Sequence, residues 1–260
     1  MAILLQEVRL RDPGVARVAY PFSVPVVRAL ATAPLVFDRP VTFLVGENGS
    51  GKSTLLEAIA CAAGSITVGT QPVGTDPSLA AARSLATVLQ LAWSRRIGRG
   101  FFMRAEDFFG FVRAMEQLNH ENVAVKAAVA RGDRGEPAVP DPTDRPWLGG
   151  DGWDERSHGE AFLDFFAARV RPGGLYILDE PEAPLSPVRQ LALLAQVRDA
   201  AAAGAQFLVA THSPILSAVP GARILSLDGG AVRPVAWEDL DHVRLTRQFL
   251  NDTDAFLRHL

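Results

Sequence analysis

The fold is decided by one stretch of sequence, Val41-Thr-Phe-Leu-Val-Gly-Glu-Asn-Gly-Ser-Gly-Lys-Ser53. Its first five residues are apolar or β-branched, which predicts a short buried strand of the kind found in parallel sheets. The glycine-rich residues 46–51 predict a tight turn, and residues 52–63 predict a helix that Gly64 ends. A strand, a turn and a helix in this order indicate an α/β protein with a parallel-sheet core.

The turn matches the phosphate-binding pattern G-x-x-x-x-G-K-[ST], called the P-loop or Walker A motif, at every fixed position. In such a turn the backbone N–H groups face inward, and the helix N-terminus favours negative charge. We expect Lys52, one of only two lysines beside 24 arginines, to reach the β- and γ-phosphates, and the Ser53 hydroxyl to ligate Mg²⁺. The alternative is a glycine-rich corner with no function. The predicted nucleotide-binding residues here are Gly46, Glu47, Asn48, Gly49, Ser50, Gly51, Lys52, Ser53 and Thr54.

A second apolar run, Leu175-Tyr-Ile-Leu-Asp-Glu180, ends in two adjacent carboxylates, as a Walker B strand does. The carboxyl ends of parallel strands are where α/β folds place their ligands. Asp179 is therefore predicted to hold Mg²⁺ opposite Ser53, directly or through water. Glu180 is predicted to polarise the attacking water as a general base. The alternative is an exposed acidic turn.

Strands and helices are predicted to alternate through the rest of the chain, around a helical insertion. The insertion contains a predicted helix over Leu79–Trp93 and a predicted strand over Gly100–Arg104. Prolines in the segment Tyr20–Val27 predict an edge strand or a loop. We predict one domain over residues 1–260, with an α/β nucleotide-binding lobe at 1–77 and 157–260 and a helical lobe with a linker at 78–156.

Composition excludes several classes of protein. With 260 residues, 48% of them apolar, the chain is long enough for one large folded domain. A net charge of −3 gives no general cationic surface for nucleic acid. A single cysteine rules out an internal disulfide framework and fits a reducing cytoplasm. No apolar run reaches the length of about 18 residues that a membrane-spanning helix needs, so we expect a cytoplasmic protein.

The motifs together resemble those of the ATP-binding-cassette (ABC) ATPases, and most closely the small stand-alone bacterial ATPases near the SMC/RecF branch. The resemblance runs from about Val41 to Ser213 in the family's motif order. It is carried by five segments: Gly46–Ser53, Ser157-His-Gly-Glu160, Leu175–Glu180, Pro181-Glu-Ala-Pro-Leu-Ser186 and Thr211-His-Ser213. It implies a P-loop nucleotide-binding domain of ABC type with a parallel-sheet core and a helical insertion lobe.

The resemblance also implies roles for further residues. Ser157 and Gly159 stand where the ABC signature contacts the γ-phosphate bound by an opposite subunit, which implies an ATP-dependent, head-to-tail homodimer. Ser-x-x-Glu is also the pattern of a helix capping box, and both interpretations can hold together. His212 stands where the family carries a histidine bonded to the γ-phosphate. The implied catalytic residues are Lys52, Glu180 and His212, the implied metal ligands are Ser53 and Asp179, and the implied cofactors are ATP and Mg²⁺.

Two family features have no clear match. The family's loop glutamine is absent, and Arg104 or Glu106 is the candidate replacement. Tyr20 or Phe22 could stack on adenine, or either could be a core residue. The Arg95, Arg96, Arg99 and Arg104 cluster indicates either a small basic surface for nucleic acid or, as we favour, a solvated helix end.

The sequence leaves open what the ATP cycle drives. The first hypothesis is ATP hydrolysis in an SMC/RecF-like, DNA-related or defence process, with nucleic acid or a protein as partner. The alternative is the nucleotide-binding subunit of a membrane transporter, with a membrane subunit as partner. A third hypothesis is a regulatory module that holds ATP and rarely hydrolyses it. Divergence from the usual signature favours the first hypothesis over the second.

Overall fold

The computed structural model describes residues 3–12, 19–68, 73–96, 98–108, 110 and 158–258. The strands in this part of the chain are β1 Leu5–Leu10, β2 Leu35–Val36, β3 Val41–Val45, β4 Ile66–Thr67, β5 Leu89–Trp93, β6 Gly100–Arg104, β7 Leu175–Asp179, β8 Gln206–Ala210, β9 Arg223–Ser226 and β10 Arg233–Pro234. The α-helices are α1 Pro25–Leu30, α2 Lys52–Ala63, α3 Ala80–Ala86, α4 His158–Arg169, α5 Pro187–Ala202, α6 Asp241–Asn251 and α7 Thr253–Leu257. None of these helices is long and apolar enough to cross a lipid bilayer.

A seven-stranded sheet in the order β10-β9-β3-β8-β7-β6-β4 forms the centre of the fold. Its pairings are parallel except for the antiparallel pair of β9 and β10. Every residue of β3, β7 and β8 is buried, which explains why these strands are almost continuously apolar. Because β3, β7 and β8 run in the same direction, the turns that follow them meet at one edge of the sheet.

A smaller antiparallel sheet in the order β2-β1-β5 lies beside the large one. Gln206, at the start of β8, joins the two sheets through its buried side chain. Its Oε1 accepts from the N–H groups of Leu4 and Leu5 at 3.0 and 2.9 Å, and its Nε2 donates to the carbonyl of Leu5 at 2.8 Å. All polar groups of this amide therefore have partners in β1 or beside it, as burial requires.

Each face of the large sheet carries its own apolar core. On one face, α2 packs against α3, and its buried Leu55, Leu56 and Ile59 lie among residues of both sheets. On the other face, α4 and α5 cover an aromatic cluster in which Phe101 and Tyr176 lie 5.0 Å apart between ring centroids. Such edge-to-face contacts add to the stabilisation that apolar burial supplies.

Several predicted elements are confirmed, including the parallel-sheet core, the helix over 52–63 with its Gly64 cap and the strand over 100–104. The helix predicted over Leu79–Trp93 is wrong beyond Ala86, because Leu89–Trp93 forms β5. Its alternately buried and exposed residues pair with β1. The edge strand or loop predicted over Tyr20–Val27 is also wrong in part, since Pro25 opens α1. Two strands, β5 and β6, fall inside the stretch predicted as a helical lobe; residues 111–157 lie outside the described part.

Candidate functional site

The turn between β3 and α2 has the backbone shape that its glycines predict. Gly46, Gly49 and Gly51 have φ angles of 148°, 85° and 99°, which L side chains rarely adopt. There is also no space for larger residues at two of them. A Cβ on Gly51 would lie 2.2 Å from Cγ1 of Val24, and one on Gly46 would lie 2.9 Å from Oδ1 of Asp228. Positions 46 and 51 of this turn therefore require glycine, both for the backbone conformation and for the packing.

The N-terminus of α2 opens directly from this turn. Its N-cap, Gly51, supplies no side-chain bond, so the first-turn N–H groups are left for an anion. Lys52 is buried, and its Nζ donates to the carbonyls of Gly46 at 2.6 Å and Glu47 at 3.1 Å. Burial lowers the pKa of Lys52, against the opposing effect of nearby carboxylates. The remaining predicted loop residues are the exposed Asn48, the buried Ser50, whose hydroxyl has no partner in the described part, and the half-buried Thr54.

Four carboxylates act electrostatically on the Lys52 ammonium, namely Asp179, Glu180, Glu182 and Asp228. One ammonium cannot balance four negative charges, so the site carries a net negative charge in its ligand-free form. A polyphosphate brought into this site would be repelled unless a divalent cation came with it. The charge balance therefore fits a site that takes a nucleotide together with Mg²⁺.

Ser53 and Asp179, the predicted metal ligands, lie together. The Ser53 hydroxyl hydrogen-bonds the Asp179 carboxylate, and Oδ1 of this carboxylate is buried with no hydrogen-bond partner in the described part of the chain. Burial, with the charge of Glu180, raises the pKa of Asp179 to about 6. No group of three or more His, Cys, Asp or Glu side chains among the described residues is arranged to hold a metal. Two protein oxygens suit Mg²⁺, which keeps several waters and binds substrate phosphates.

Glu180 and His212, both predicted to be catalytic, face each other at the edge of the sheet. Glu180 has a φ of 51° and donates its N–H to the carbonyl of Ala210 at 2.9 Å, which ties the turn after β7 to the end of β8. Its Oε1 lies 3.9 Å from Nε2 of His212, and both side chains are nearly half exposed. A residue other than glycine rarely adopts this left-handed backbone, and such strain is concentrated at functional sites.

The predicted signature residues are only partly described. Ser157 lies outside the described residues. Gly159 is buried in the first turn of α4, where a Cβ would lie 2.8 Å from Cδ of Arg189 and 3.1 Å from the carbonyl oxygen of Pro184. Glu160 forms an ion pair with Arg189 at 2.9 Å. Gly159 therefore has a packing role within its own chain, whether or not it contacts a second one.

Sequence reasoning missed two carboxylates in this site. Asp228 has no predicted role, but its Oδ1 accepts the N–H of Glu47 at 2.7 Å and so fixes the start of the phosphate-binding turn. Glu182 accepts the N–H of His212 at 2.8 Å. The position of Asp228 after β9, which pairs with β3, is a signal that could have predicted its contact with Glu47. The contact between Glu182 and His212 is visible only in the folded structure.

The basic cluster expected at Arg95, Arg96, Arg99 and Arg104 does not form one surface, because the first three arginines are exposed whereas Arg104 is buried. Arg95 and Arg96 follow strand β5 rather than a helix. Arg104 is buried at the end of β6, where it bonds Asp107 at 2.6 and 2.9 Å and Asp76 at 3.0 Å. Burial raises the pKa of the neighbouring Glu57 to about 7, although Arg104 partly offsets this. Arg104 is therefore an internal counter-ion and not part of a nucleic-acid surface.

Comparisons with known proteins show which family this chain resembles. A family described as "AAA domain" matches residues 27–83, and one described as "AAA domain, putative AbiEii toxin, Type IV TA system" matches residues 82–218. The chain is 31% identical over 191 residues to the hemin import ATP-binding protein HmuV of Pseudomonas aeruginosa, covering 72% of each protein. HmuV of Pseudomonas fluorescens is 31% identical over 205 residues, covering 74% of this chain and 73% of the relative.

A solved structure shares the fold. An SMC head bound to the C-winged helix domain of ScpA superposes with a TM-score of 0.51 at 14% identity, covering 90% of this chain and 98% of that chain. The sequence relatives and the matched family, taken with the assembled turn, acidic pair and histidine, lead to one conclusion: this chain belongs to the ABC-type ATPases.

Proposed function

We propose that this protein binds ATP with Mg²⁺ and hydrolyses it in the cytoplasm, acting as an ATP-sandwiched, head-to-tail dimer in an SMC/RecF-like, DNA-related or defence process. Hydrolysis of ATP is the activity of its family. The observation that carries the proposal is the meeting of Lys52, Ser53 and Asp179 with Glu180 and His212 at the carboxyl ends of β3, β7 and β8. These are the groups that phosphoryl transfer to water needs.

Each residue has a task in the proposed reaction. The N–H groups of residues 46–51 and the Lys52 ammonium hold the phosphates. Ser53 and Asp179 would hold Mg²⁺, which neutralises phosphate charge when it is bound. Glu180 accepts a proton from water while the water oxygen bonds to the γ-phosphorus and the bond to the β–γ bridging oxygen breaks, giving ADP and phosphate. His212, beside Glu180, donates a hydrogen bond to the γ-phosphate. Ser157 and Gly159 of a second copy would complete the site.

The test uses three variants and size-exclusion chromatography with light scattering. Glu180→Gln should bind ATP without hydrolysing it, and should elute with ATP and Mg²⁺ at twice the monomer mass of 27.9 kDa. Lys52→Ala should lose at least 100-fold in ATP affinity by calorimetry and remain monomeric. The exposed Glu238→Gln, in the short helical turn before α6, is the matched control and should behave like wild type. An inactive wild type, or a Glu180→Gln variant that stays monomeric, contradicts the proposal.

A second candidate function is favoured by the relatives themselves. HmuV is named as the ATP-binding protein of hemin import, so the same domain could serve as the nucleotide-binding subunit of a transporter. The two candidates make opposite predictions. Stimulation of ATP hydrolysis by added DNA supports the first, whereas co-purification of a membrane protein from solubilised membranes, with no response to DNA, supports the second.

A further inference from the structure

The carboxylate of Glu182 lies inside the site, and the proposed chemistry does not use it. Its Oε1 accepts the backbone N–H of His212 at 2.8 Å. Its Oε2 is buried and has no hydrogen-bond partner among the described residues. A half-buried carboxylate with one unpaired oxygen is costly, so its single hydrogen bond calls for an explanation.

Neighbouring carboxylates raise the free-energy cost of a charge at Glu182 further. Its charge adds to that of Glu180 in raising the pKa of Asp179, so three carboxylates repel one another around one ammonium. Glutamine at this position could accept the same N–H without the charge. The charged form nevertheless makes the stronger bond, since a carboxylate accepts from an N–H group more strongly than a neutral oxygen does.

The hydrogen bond to Glu182 restrains the backbone of His212. Within the described residues, the segment after His212 is fixed separately, because Ser213 Oγ donates to Oε1 of Gln190 at 2.6 Å and Ser213 N–H bonds the Thr211 hydroxyl at 2.9 Å. His212 itself donates its backbone N–H to Glu182. Two acidic residues thus flank the histidine, with Glu180 3.9 Å from the imidazole and Glu182 on the backbone N–H.

We propose that Glu182 is a positioning residue that holds His212 opposite Glu180 for hydrolysis. It contacts no reacting atom, and it serves hydrolysis by holding the His212 backbone in place. The inference rests on the proposed ATP hydrolysis for its kinetic consequence. Its structural part, the restraint of the His212 backbone, stands on the ligand-free geometry and can be measured without nucleotide.

The kinetic test compares Glu182→Ala and Glu182→Gln. Glu182→Ala should lower kcat at least 10-fold while the KM for ATP changes less than 2-fold, because a lost charge-assisted bond moves His212 but not the phosphate-binding turn. Glu182→Gln should stay within about 3-fold of wild type, since its amide oxygen accepts the same N–H. In a His212→Ala background, Glu182→Ala should cost less than a further 2-fold. An additive loss in that background, or equal losses in the two single variants, overturns the proposal.

A second measurement keeps the inference independent of activity. Amide hydrogen exchange at His212, followed by NMR in nucleotide-free protein, should be at least 10-fold faster in Glu182→Ala than in wild type and unchanged in Glu182→Gln. Thermal melts check that each variant is folded. Unchanged exchange in Glu182→Ala overturns the inference even if the wild type is an active ATPase. A wild type without ATPase activity instead contradicts the proposed function and leaves the exchange result to decide the role of Glu182.

Discussion

Replacing Asp179 with asparagine should stabilise the folded protein while abolishing hydrolysis. Asp179 is 7% exposed, one of its oxygens is buried without a partner, and burial raises its pKa from 3.8 to about 6. Each pKa unit corresponds to about 1.4 kcal/mol of difference between the two protonation states. The folded state therefore holds an ionised group that it disfavours by about 3 kcal/mol at neutral pH. Asparagine keeps the size of the side chain and removes the charge.

The sign of this effect fixes its pH dependence. A carboxyl whose pKa is higher in the folded state than in the unfolded state destabilises the protein above the folded value, and its penalty disappears below the unfolded value. The stability gained by Asp179→Asn should be about 3 kcal/mol at pH 7.5, roughly half of that at pH 5, and close to zero below pH 4. For a domain of this size the gain at pH 7.5 corresponds to a rise in Tm of roughly 6–12 °C.

Urea unfolding at pH 7.5 and pH 5, followed by circular dichroism, measures the difference. The control is Asp38→Asn at an exposed ion pair, because the Arg223 guanidinium lowers the pKa of Asp38 and the variant should be slightly less stable than wild type. Mg²⁺ with ATP should raise the Tm of the wild type and leave that of Asp179→Asn unchanged. The reasoning fails if Asp179→Asn is no more stable at pH 7.5, or if its gain is the same at both pH values.

Two further substitutions test the packing around the site. Gly51→Ala should lower the free energy of unfolding by more than about 2 kcal/mol and prevent ATP binding, because its Cβ would lie 2.2 Å from Val24 at a φ of 99°. The control is Gly64→Ala, where φ is 69° and the space around the Cβ is open. This variant should cost about 1 kcal/mol in urea melts and keep ATP binding. Equal losses would contradict this assignment. Arg104→Met should cost about 2–4 kcal/mol, because Arg104 is buried and its loss leaves the half-buried Asp76 and Asp107 without their counter-ion. The exposed Arg198→Met should change urea unfolding little, and a small loss for Arg104→Met would show that the cluster relaxes.

The sequence identified the parts of the site that are local along the chain. The turn at 46–51 and the acidic pair at 179–180 each follow a strand directly, so their meeting at one edge of the sheet could be predicted from spacing. The helix over 52–63 followed from its apolar face and its terminal Gly64. The fold class, the family and the general activity followed from these segments and their order.

Long-range contacts could not be predicted in the same way. Glu47 and Asp228 are 181 positions apart, and they meet because β9 lies beside β3 in the sheet. Arg104 was interpreted as a surface charge because nothing near it in sequence shows that Asp76 will be its partner. The segment Leu89–Trp93 fitted a helix by composition, and its pairing with β1 is what makes it a strand.

The unfavourable features of the site have one physical cause. Lys52 turns to two backbone carbonyls, Asp179 has a raised pKa with an unpaired oxygen, and Glu182 keeps a buried oxygen without a partner. The Lys52 ammonium and the two carboxylates could form ion pairs with one another only if they moved closer together. The pairing of β3 with β8 and of β8 with β7 prevents this, because it holds the strands beside these residues at a fixed spacing. In the proposed function, a nucleotide with a divalent cation would supply phosphate oxygens for the ammonium and a positive charge for the carboxylates. The stability that these groups cost the protein would then be recovered as binding free energy for such a ligand. For this reason we expect Asp179→Asn to be both more stable and inactive.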